Sequence, residues 1–177
     1  MRVIAGRLGG RQFNSPKGHK THPMSDKGRG ALFNVLGDIT GLSVLDAFAG
    51  SGALSFEALS RGAATVTAID NDQSAYTSIV RNSQELGLGK ELKTIRVHAG
   101  TWSNDNPEHV FDVIIIDPPY DKIQEELLSR LALHAKTGGI VTCSLPPTYT
   151  AHLDANFELL KTKDFGDARL EFYRRIS

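Results

Sequence analysis

The sequence predicts an α/β fold, a mostly parallel sheet covered by helices on both faces, and three observations predict it. Strand-like and helix-like segments alternate from residue 43 to residue 145, the order that links parallel strands through helical crossovers. The strand signals are short apolar runs, "SVLDAFAG" and "FDVIIID" above all, as expected of strands buried on both sides. The last two segments, "FELLKTKDFG" and "ARLEFYRRIS", are joined by a Gly-containing turn and read as an antiparallel pair.

Each element has its own signal. "VIAGRLGGRQFNS" is a glycine-punctuated alternation, expected as a small hairpin. "SDKGRGALFNVLGD" places Leu32, Phe33, Leu36 and Ile39 at helical spacing. Gly28 and Gly30 weaken its first turn, at roughly 1 kcal/mol each against alanine. The strand "SVLDAFAG" leads into the helix "SGALSFEALSRG", which Gly62 closes. "ATVTAID" is a second strand. "NDQSAYTSIVRNSQELG" is an amphipathic helix with Ala75, Ile79 and Leu86 inward and Gly87 as its stop. "KTIRVHAG" and "FDVIIID" are the third and fourth strands, "KIQEELLSRLALHAKTGG" a helix along Ile123, Leu127 and Leu131, and "IVTCSL" the fifth strand. No repeat, low-complexity tract or linker interrupts the chain, so it is expected as one structural domain. Within it, residues 1–25 form a basic N-terminal arm or hairpin and residues 26–177 the main body.

Composition narrows the class. At 177 residues, 40% hydrophobic and 23% charged, the chain can bury a sizeable core as a globular protein. Its apolar runs are too short to span a membrane, and "MRVIAGRLGG" lacks a signal-peptide apolar region, so a cytoplasmic protein is expected. The single cysteine, Cys143, excludes an internal disulfide and a multi-cysteine zinc site; a buried structural thiol is the expectation. No His/Cys/Asp cluster points to a metal. Net charge is zero, but residues 1–30 hold seven Lys/Arg and one acid, a net +6 balanced by −6 in the rest. That asymmetry fits nucleic acid on a basic arm, or simply a solvated terminal segment. Charge alone leaves both open.

Two loops carry chemistry. In "VLDAFAGSGALSFE", Gly50 and Gly52 fall where a strand turns into a helix, which lets backbone approach a ligand beside a helix N-terminus. The third glycine of a dinucleotide fingerprint would fall at Ser55, and Asp46 precedes the loop. A carboxylate there suits positive charge or hydroxyls better than a pyrophosphate, and the absent third glycine disfavours a nicotinamide oxidoreductase. Asp70 closes the second strand, placed to accept from a ribose diol. In "VIIIDPPYD" a buried strand stops at Asp117, Pro118, Pro119 and Tyr120, since prolines cannot donate to the ladder. The Asp117 carboxylate and Pro118 carbonyl can accept from one exocyclic amino group, and Tyr120 can stack on its ring. Two acceptors favour the pyramidal amine that frees a lone pair, and the stiff Pro-Pro fixes them beforehand.

"VLDAFAGSGALSFEALSRGA", "AIDND", "FDVIIIDPPY" and "HPMSDKGRGALFN" together resemble the RsmD family, the bacterial 16S ribosomal RNA guanine-N2 methyltransferases. The resemblance runs from "RVIAGRLGGRQF" to "ARLEFYRR". It implies a Rossmann-like class I methyltransferase with S-adenosylmethionine as cofactor and a seven-stranded sheet ordered 3-2-1-4-5-7-6, strand 7 antiparallel. It implies a methionine-side pocket from Asp46, Ala47, Phe48, Gly50, Ser51 and Gly52, ribose held by Asp70, and adenine flanked by Asn71. Asp117, Pro118, Pro119 and Tyr120 would take the target amine, and Met24, Ser25 and Asp26 would close over the site. Ribosomal RNA would be the partner, naked or in an assembling small subunit. Its contacts would come from Arg2, Arg7, Arg11, Lys20 and His22, with the protein acting as a monomer.

The chain departs from the family pattern twice. After the third strand the family's Gly-Asp-Ala is replaced by "VHAGTW", leaving His98 and Ala99 on the adenine side without the usual acid. His98 then reads equally as a strand-end residue with no ligand role. The helix after "HPMSD" begins Lys27-Gly28-Arg29-Gly30 where the family has Arg-Val-Arg-Glu, so its start is expected to be mobile until RNA or cofactor binds. Readings of other kinds are an amino-group methyltransferase on adenine N6 of DNA or RNA and a nucleoside-binding module without catalysis. The first lacks room for a target-recognition domain and the second does not account for Asp-Pro-Pro-Tyr.

Overall fold

A computed structural model describes residues 1–16, 18 and 24–177. Among the described residues five α-helices and seven strands follow in order, alternating as far as β5: α1 Asp26–Leu36, β1 Ser43–Asp46, α2 Ala53–Ser60, β2 Thr65–Asp70, α3 Gln73–Glu85, β3 Leu92–Arg96, α4 Ala99–Asp105, β4 Phe111–Ile116, α5 Glu125–Ala132, β5 Ala135–Leu145, β6 Phe157–Phe165 and β7 Ala168–Arg175. The strands form one sheet ordered β3-β2-β1-β4-β5-β7-β6. β3, β2, β1, β4 and β5 run parallel, while β7 is antiparallel to both neighbours. The expected α/β class and strand order are both observed.

Alternation along the strands sends side chains to two cores. Val44, Val66, Val113, Ile115, Leu170 and Phe172 meet α1, α2 and α3 on one face. Leu45, Ile69, Ile114, Ile116, Cys143 and Tyr173 meet α4 and α5 on the other. Cys143 is buried, and burial pushes its thiol well above the ordinary range. No helix of the described residues is long and apolar enough to cross a membrane.

The N-terminal segment folds back on itself with a single antiparallel bridge, Arg2 to Gln12, in place of a strand-paired hairpin. Its apolar residues explain why. Val3, Leu8 and Phe13 are buried in the first core, Phe13 edge-on to Phe56 of α2 at 5.0 Å. The buried Glu57 carboxylate accepts from the Ile4 and Ala5 amides at 2.7 and 3.1 Å. Gly6 has φ +80°, and a Cβ there would lie 1.9 Å from the Ser60 carbonyl oxygen. The backbone thus needs glycine to dock on α2.

Three boundaries differ from the periodicity. α1 stops at Leu36 because Gly37 turns to φ +75°, so Ile39 is buried outside the helix. α5 covers only Glu125–Ala132, with Ile123 in extended backbone before it and Ala135 already paired with Phe111. Residues beyond Ala135 bulge before Ile140 pairs with Val113, with Gly138 at φ +82° in that bulge. α4 had no apolar periodicity to announce it; His98 caps it and Trp102 buries it. At the start of α1 the Ser25 hydroxyl caps the helix, accepting from the Gly28 amide at 3.1 Å.

Candidate functional site

The carboxyl ends of β1, β2 and β4 lie side by side, which brings Asp46, Asp70 and the Asp117 turn to one rim of the sheet. Open α/β sheets bind their ligands at that rim, where the strand order reverses. Here it reverses between β1 and β4.

The loop after β1 is shaped by its glycines. Gly50 has φ +52° and Gly52 φ +78°, conformations that cost a side chain roughly 1–2 kcal/mol. A Cβ on Gly52 would also sit 2.9 Å from the Phe56 ring and 3.0 Å from Ile79. Ala47 and Ser51 are buried, Phe48 half-buried. Asp70 organises this loop from the next strand: its Oδ2 accepts from the Gly50 amide at 2.7 Å and its Oδ1 from the Asp72 amide at 2.8 Å. Each oxygen keeps a lone pair for a further donor. Asn71 beside it is exposed.

Asp46 is fully buried. Its Oδ2 accepts from the Ser55 hydroxyl at 2.6 Å, while Oδ1 has no partner among the described residues. Burial pushes its carboxyl up to about 7, opposed by the Ser55 bond and, more weakly, by the Phe48 backbone amide, and reinforced by the charges of Asp117 and Asp70. A buried oxygen without a donor costs about 1–3 kcal/mol, so the site is one that a cationic or hydrogen-bonding ligand would complete. Ser55 therefore has a definite task in the place of the absent third glycine: it buttresses Asp46.

After β4, Asp117 is half-buried and Pro118 buried. Burial pushes the Asp117 carboxyl up to about 6, and a hydrogen bond from Ser144 holds it down. Pro119 leads into a short 3-10 turn, Tyr120–Lys122. Tyr120 is 40% exposed, a ring open to a ligand, with its hydroxyl 3.3 Å from Ser144 Oγ.

Other residues singled out in the sequence are placed differently. His98 is exposed and caps α4, its Nδ1 accepting from the Gly100 amide at 3.1 Å, so its ring already has a structural task. Ala99 is buried under it. Met24 and Ser25 stand at the start of α1. The Met24 carbonyl accepts from Arg29 at 3.1 Å, and the Ser25 hydroxyl is the cap already described. Arg29, one of the seven cations of residues 1–30, is buried and donates to Met24, Arg2 and Asp26; it is an internal strut. Arg2 pairs with Asp26 at 2.8 Å, Arg7 grips Glu91 with 2.7 and 2.8 Å bonds, and Arg11 donates to the Glu85 carbonyl at 3.2 Å. All three remain exposed. Lys20 and His22 lie outside the described residues. Among the described residues no His, Cys, Asp and Glu cluster could hold a metal ion.

Sequence reasoning missed Ser55, Arg29 and Ser144. For Ser55 the spacing after Asp46 was a signal, since it falls on the first turn of the helix that follows the loop. Ser144 had none, because only strand pairing brings β5 against the Asp117 turn.

Residues 1–174 match the model of a family described as Conserved hypothetical protein 95. The ribosomal RNA small subunit methyltransferase D of Escherichia coli is 33% identical over 181 residues, covering 99% of this chain and 90% of its own. Its Haemophilus influenzae namesake is 29% identical, covering 98% and 93%. The solved structure of yhhF from Escherichia coli superposes with a TM-score of 0.86 at 28% identity, over 99% of this chain and 98% of that one.

Proposed function

The chain belongs to the RsmD family, and from that membership we propose that it is an S-adenosylmethionine-dependent methyltransferase acting on the exocyclic N2 of a guanine in 16S ribosomal RNA. The observation that carries the chemistry is the convergence of Asp46, Asp70 and the Asp117–Tyr120 turn at adjoining strand ends. The partnerless oxygen of Asp46 and the left-handed glycine loop fit the cofactor.

S-adenosylmethionine, when bound, supplies a methyl group on a sulfonium. Asp46 and the Phe48–Gly52 loop would hold its methionine side, Asp70 the ribose hydroxyls, and Asn71 would flank the adenine. The Asp117 carboxylate and Pro118 carbonyl would accept the two N2 hydrogens and Tyr120 would stack on the guanine, which frees the nitrogen lone pair for transfer. A carboxyl near 6 is mostly ionised above neutral pH, as an acceptor must be, and it can take the proton that the methylated nitrogen sheds. Positioning and exclusion of water supply most of the rate. Met24, Ser25 and Asp26 would close over the site from the entry to α1, and the basic segment would meet phosphates. With ribosomal RNA as the substrate, naked or within an assembling small subunit, the protein would act in the cytoplasm as a monomer.

Purified protein, methyl-labelled cofactor and small-subunit RNA from cells lacking this gene test the reading, with naked RNA and assembled subunits as separate arms. Label recovered as N2-methylguanosine is the expected result. Label in N6-methyladenosine moves the target to another base, and no label in either arm defeats the reading.

The basic segment has its own test. Replacing Arg2, Arg7, Arg11 and Lys20 by Ala should lower the salt slope of RNA binding by about 3, since each phosphate contact contributes a little under one unit. Salt weakens phosphate contacts, so the loss should be largest at low salt, and it is moderated by Asp26 and Glu91, which pair with two of these arginines in the free protein. Cofactor affinity should hardly move. An unchanged slope would leave the arm as solvated surface.

A further inference from the structure

We propose that β6 is a second track for the substrate RNA: Lys161 and Lys163, beside Phe165 on one face of the β6–β7 hairpin, bind phosphates close to the target guanine. The inference rests on the reading of ribosomal RNA as the substrate and of the Asp117 turn as the seat of the target base.

β6 is the edge strand of the sheet, and residues 158–164 are all exposed. They contribute little to either core, so their side chains are free for another use. Residues directly opposite in an antiparallel pair share a face. Lys161 stands opposite Phe172 and Lys163 opposite Leu170, both of which point into the first core. Phe165 packs against that core from the end of the strand, and the Lys163 ammonium lies 5.0 Å from its ring centroid. The two lysines therefore stand on the side of the sheet that carries α1 and the N-terminal segment. Lys27, Arg2, Arg7 and Arg11 of those segments are exposed too. The acids of the hairpin do not cancel the two lysines. Asp164 pairs with Arg169 on the other face at 2.9 Å, and Glu158 lies 4.0 Å from Arg174 at the far end. Among the described residues neither lysine is in an ion pair.

The register ties this face to the site. Ile116 of β4 pairs with Cys143 of β5, so Asp117 is level with Ser144. Ser144 pairs with Leu170, and Leu170 with Lys163. Asp117 and Lys163 thus share one row across the rim, three strand spacings apart, or roughly 14 Å. The turn beyond Phe165 reaches toward the target-base turn, since the Asp167 charge acts on the Tyr120 phenol. An ammonium held over an aromatic ring at that distance suits the phosphates of nucleotides next to a guanine at Asp117. Lys161 continues the track about 7 Å further along the strand. Lysines on an edge strand have another use, which is to block pairing with a second chain. Charge of either sign blocks pairing, whereas only positive charge binds phosphate, and that difference makes the two roles separable.

The variants are Lys161→Gln with Lys163→Gln, and Lys161→Glu with Lys163→Glu. Each is compared with wild type for binding small-subunit RNA from cells lacking this gene, across salt. The glutamine pair should lower the salt slope by about 1.5, since each phosphate contact contributes a little under one unit. It should raise the KM for RNA by ~10-fold at low salt and leave kcat and cofactor affinity within about 2-fold. The glutamate pair should bind more weakly still and stay monomeric. An unchanged slope overturns the proposal. So does a glutamate pair that binds like wild type while the glutamine pair self-associates, which leaves the lysines as edge protection. Lys163→Cys then locates the contact, because the native Cys143 is buried and the new thiol is the accessible one. A photo-crosslinker on it should attach, in small subunits from the same cells, to RNA within a few nucleotides of the methylated guanine. Attachment to a ribosomal protein, or to a second copy of this chain, overturns the assignment to RNA. If no guanine is methylated, the function has failed and the salt slope still judges the lysines; an unmoved slope with methylation intact defeats the role of β6 alone.

Discussion

Asp117→Ala is expected to slow single-turnover methyl transfer by ~100-fold or more, the usual cost of deleting one preorganised polar contact at a reacting centre. Cofactor affinity should barely change. Asp117 stands after β4, while the glycine loop and Asp70 follow β1 and β2, and neither leans on it through a hydrogen bond given by the structure. There is one indirect effect, and its sign is known. The Asp117 charge helps hold the Asp46 carboxyl up at about 7; without it, Asp46 ionises more readily, so a cationic cofactor should bind as well or slightly better near neutral pH. Asp117→Asn refines the test, because an amide keeps one acceptor oxygen but does not titrate. It should retain more activity than alanine and lose the rise in rate near pH 6. Calorimetric cofactor binding beside the rates is the measurement. Near-wild-type turnover in Asp117→Ala would remove the residue from the chemistry.

The sheet was legible because its strands are short, apolar and punctuated. β4 reads directly from "FDVIII", and its end from two prolines. The acids at the ends of β1, β2 and β4 were legible for the same reason: a carboxylate closing an apolar run is anomalous unless something uses it. α4 was not legible, since seven residues held by a histidine cap and one tryptophan leave no periodicity to find. α5 was overextended because its apolar spacing runs on through Leu133 and Ala135, where the chain has already turned into β5.

Charge counting could not tell Arg29 from its neighbours. The sequence shows a cation in a basic stretch, while the fold buries it against the Met24 and Arg2 carbonyls with Asp26 as counter-ion. A buried cation with a counter-ion and backbone acceptors is paid for by those bonds. It ties the start of α1 to the N-terminal segment, across the turn that holds the two glycines. Ser144 was hidden for a related reason, since a hydroxyl in "VTCSL" has no local anomaly and acquires meaning only across the sheet.

Asp70→Ala should act on the opposite half of the reaction. A charge-assisted bond to the ribose diol is worth about 1.5–3 kcal/mol, so its loss alone predicts a ~10–150-fold weaker cofactor affinity. The structure adds a second cost, because the same carboxylate holds the Gly50 and Asp72 amides. Alanine frees both, and the loop that should cradle the methionine side loses its anchor from β2. Turnover at saturating cofactor should largely recover, because the Asp117 turn is unaffected. The two costs separate with a cofactor analogue lacking the ribose hydroxyls. Wild type should discriminate against the analogue by about 10-fold or more, and Asp70→Ala should bind it and the natural cofactor alike. If both ligands weaken equally and the discrimination survives, Asp70 shapes the glycine loop without touching ribose. If neither weakens, Asp70 serves only the turn into α3, and the second strand does not end at the nucleoside.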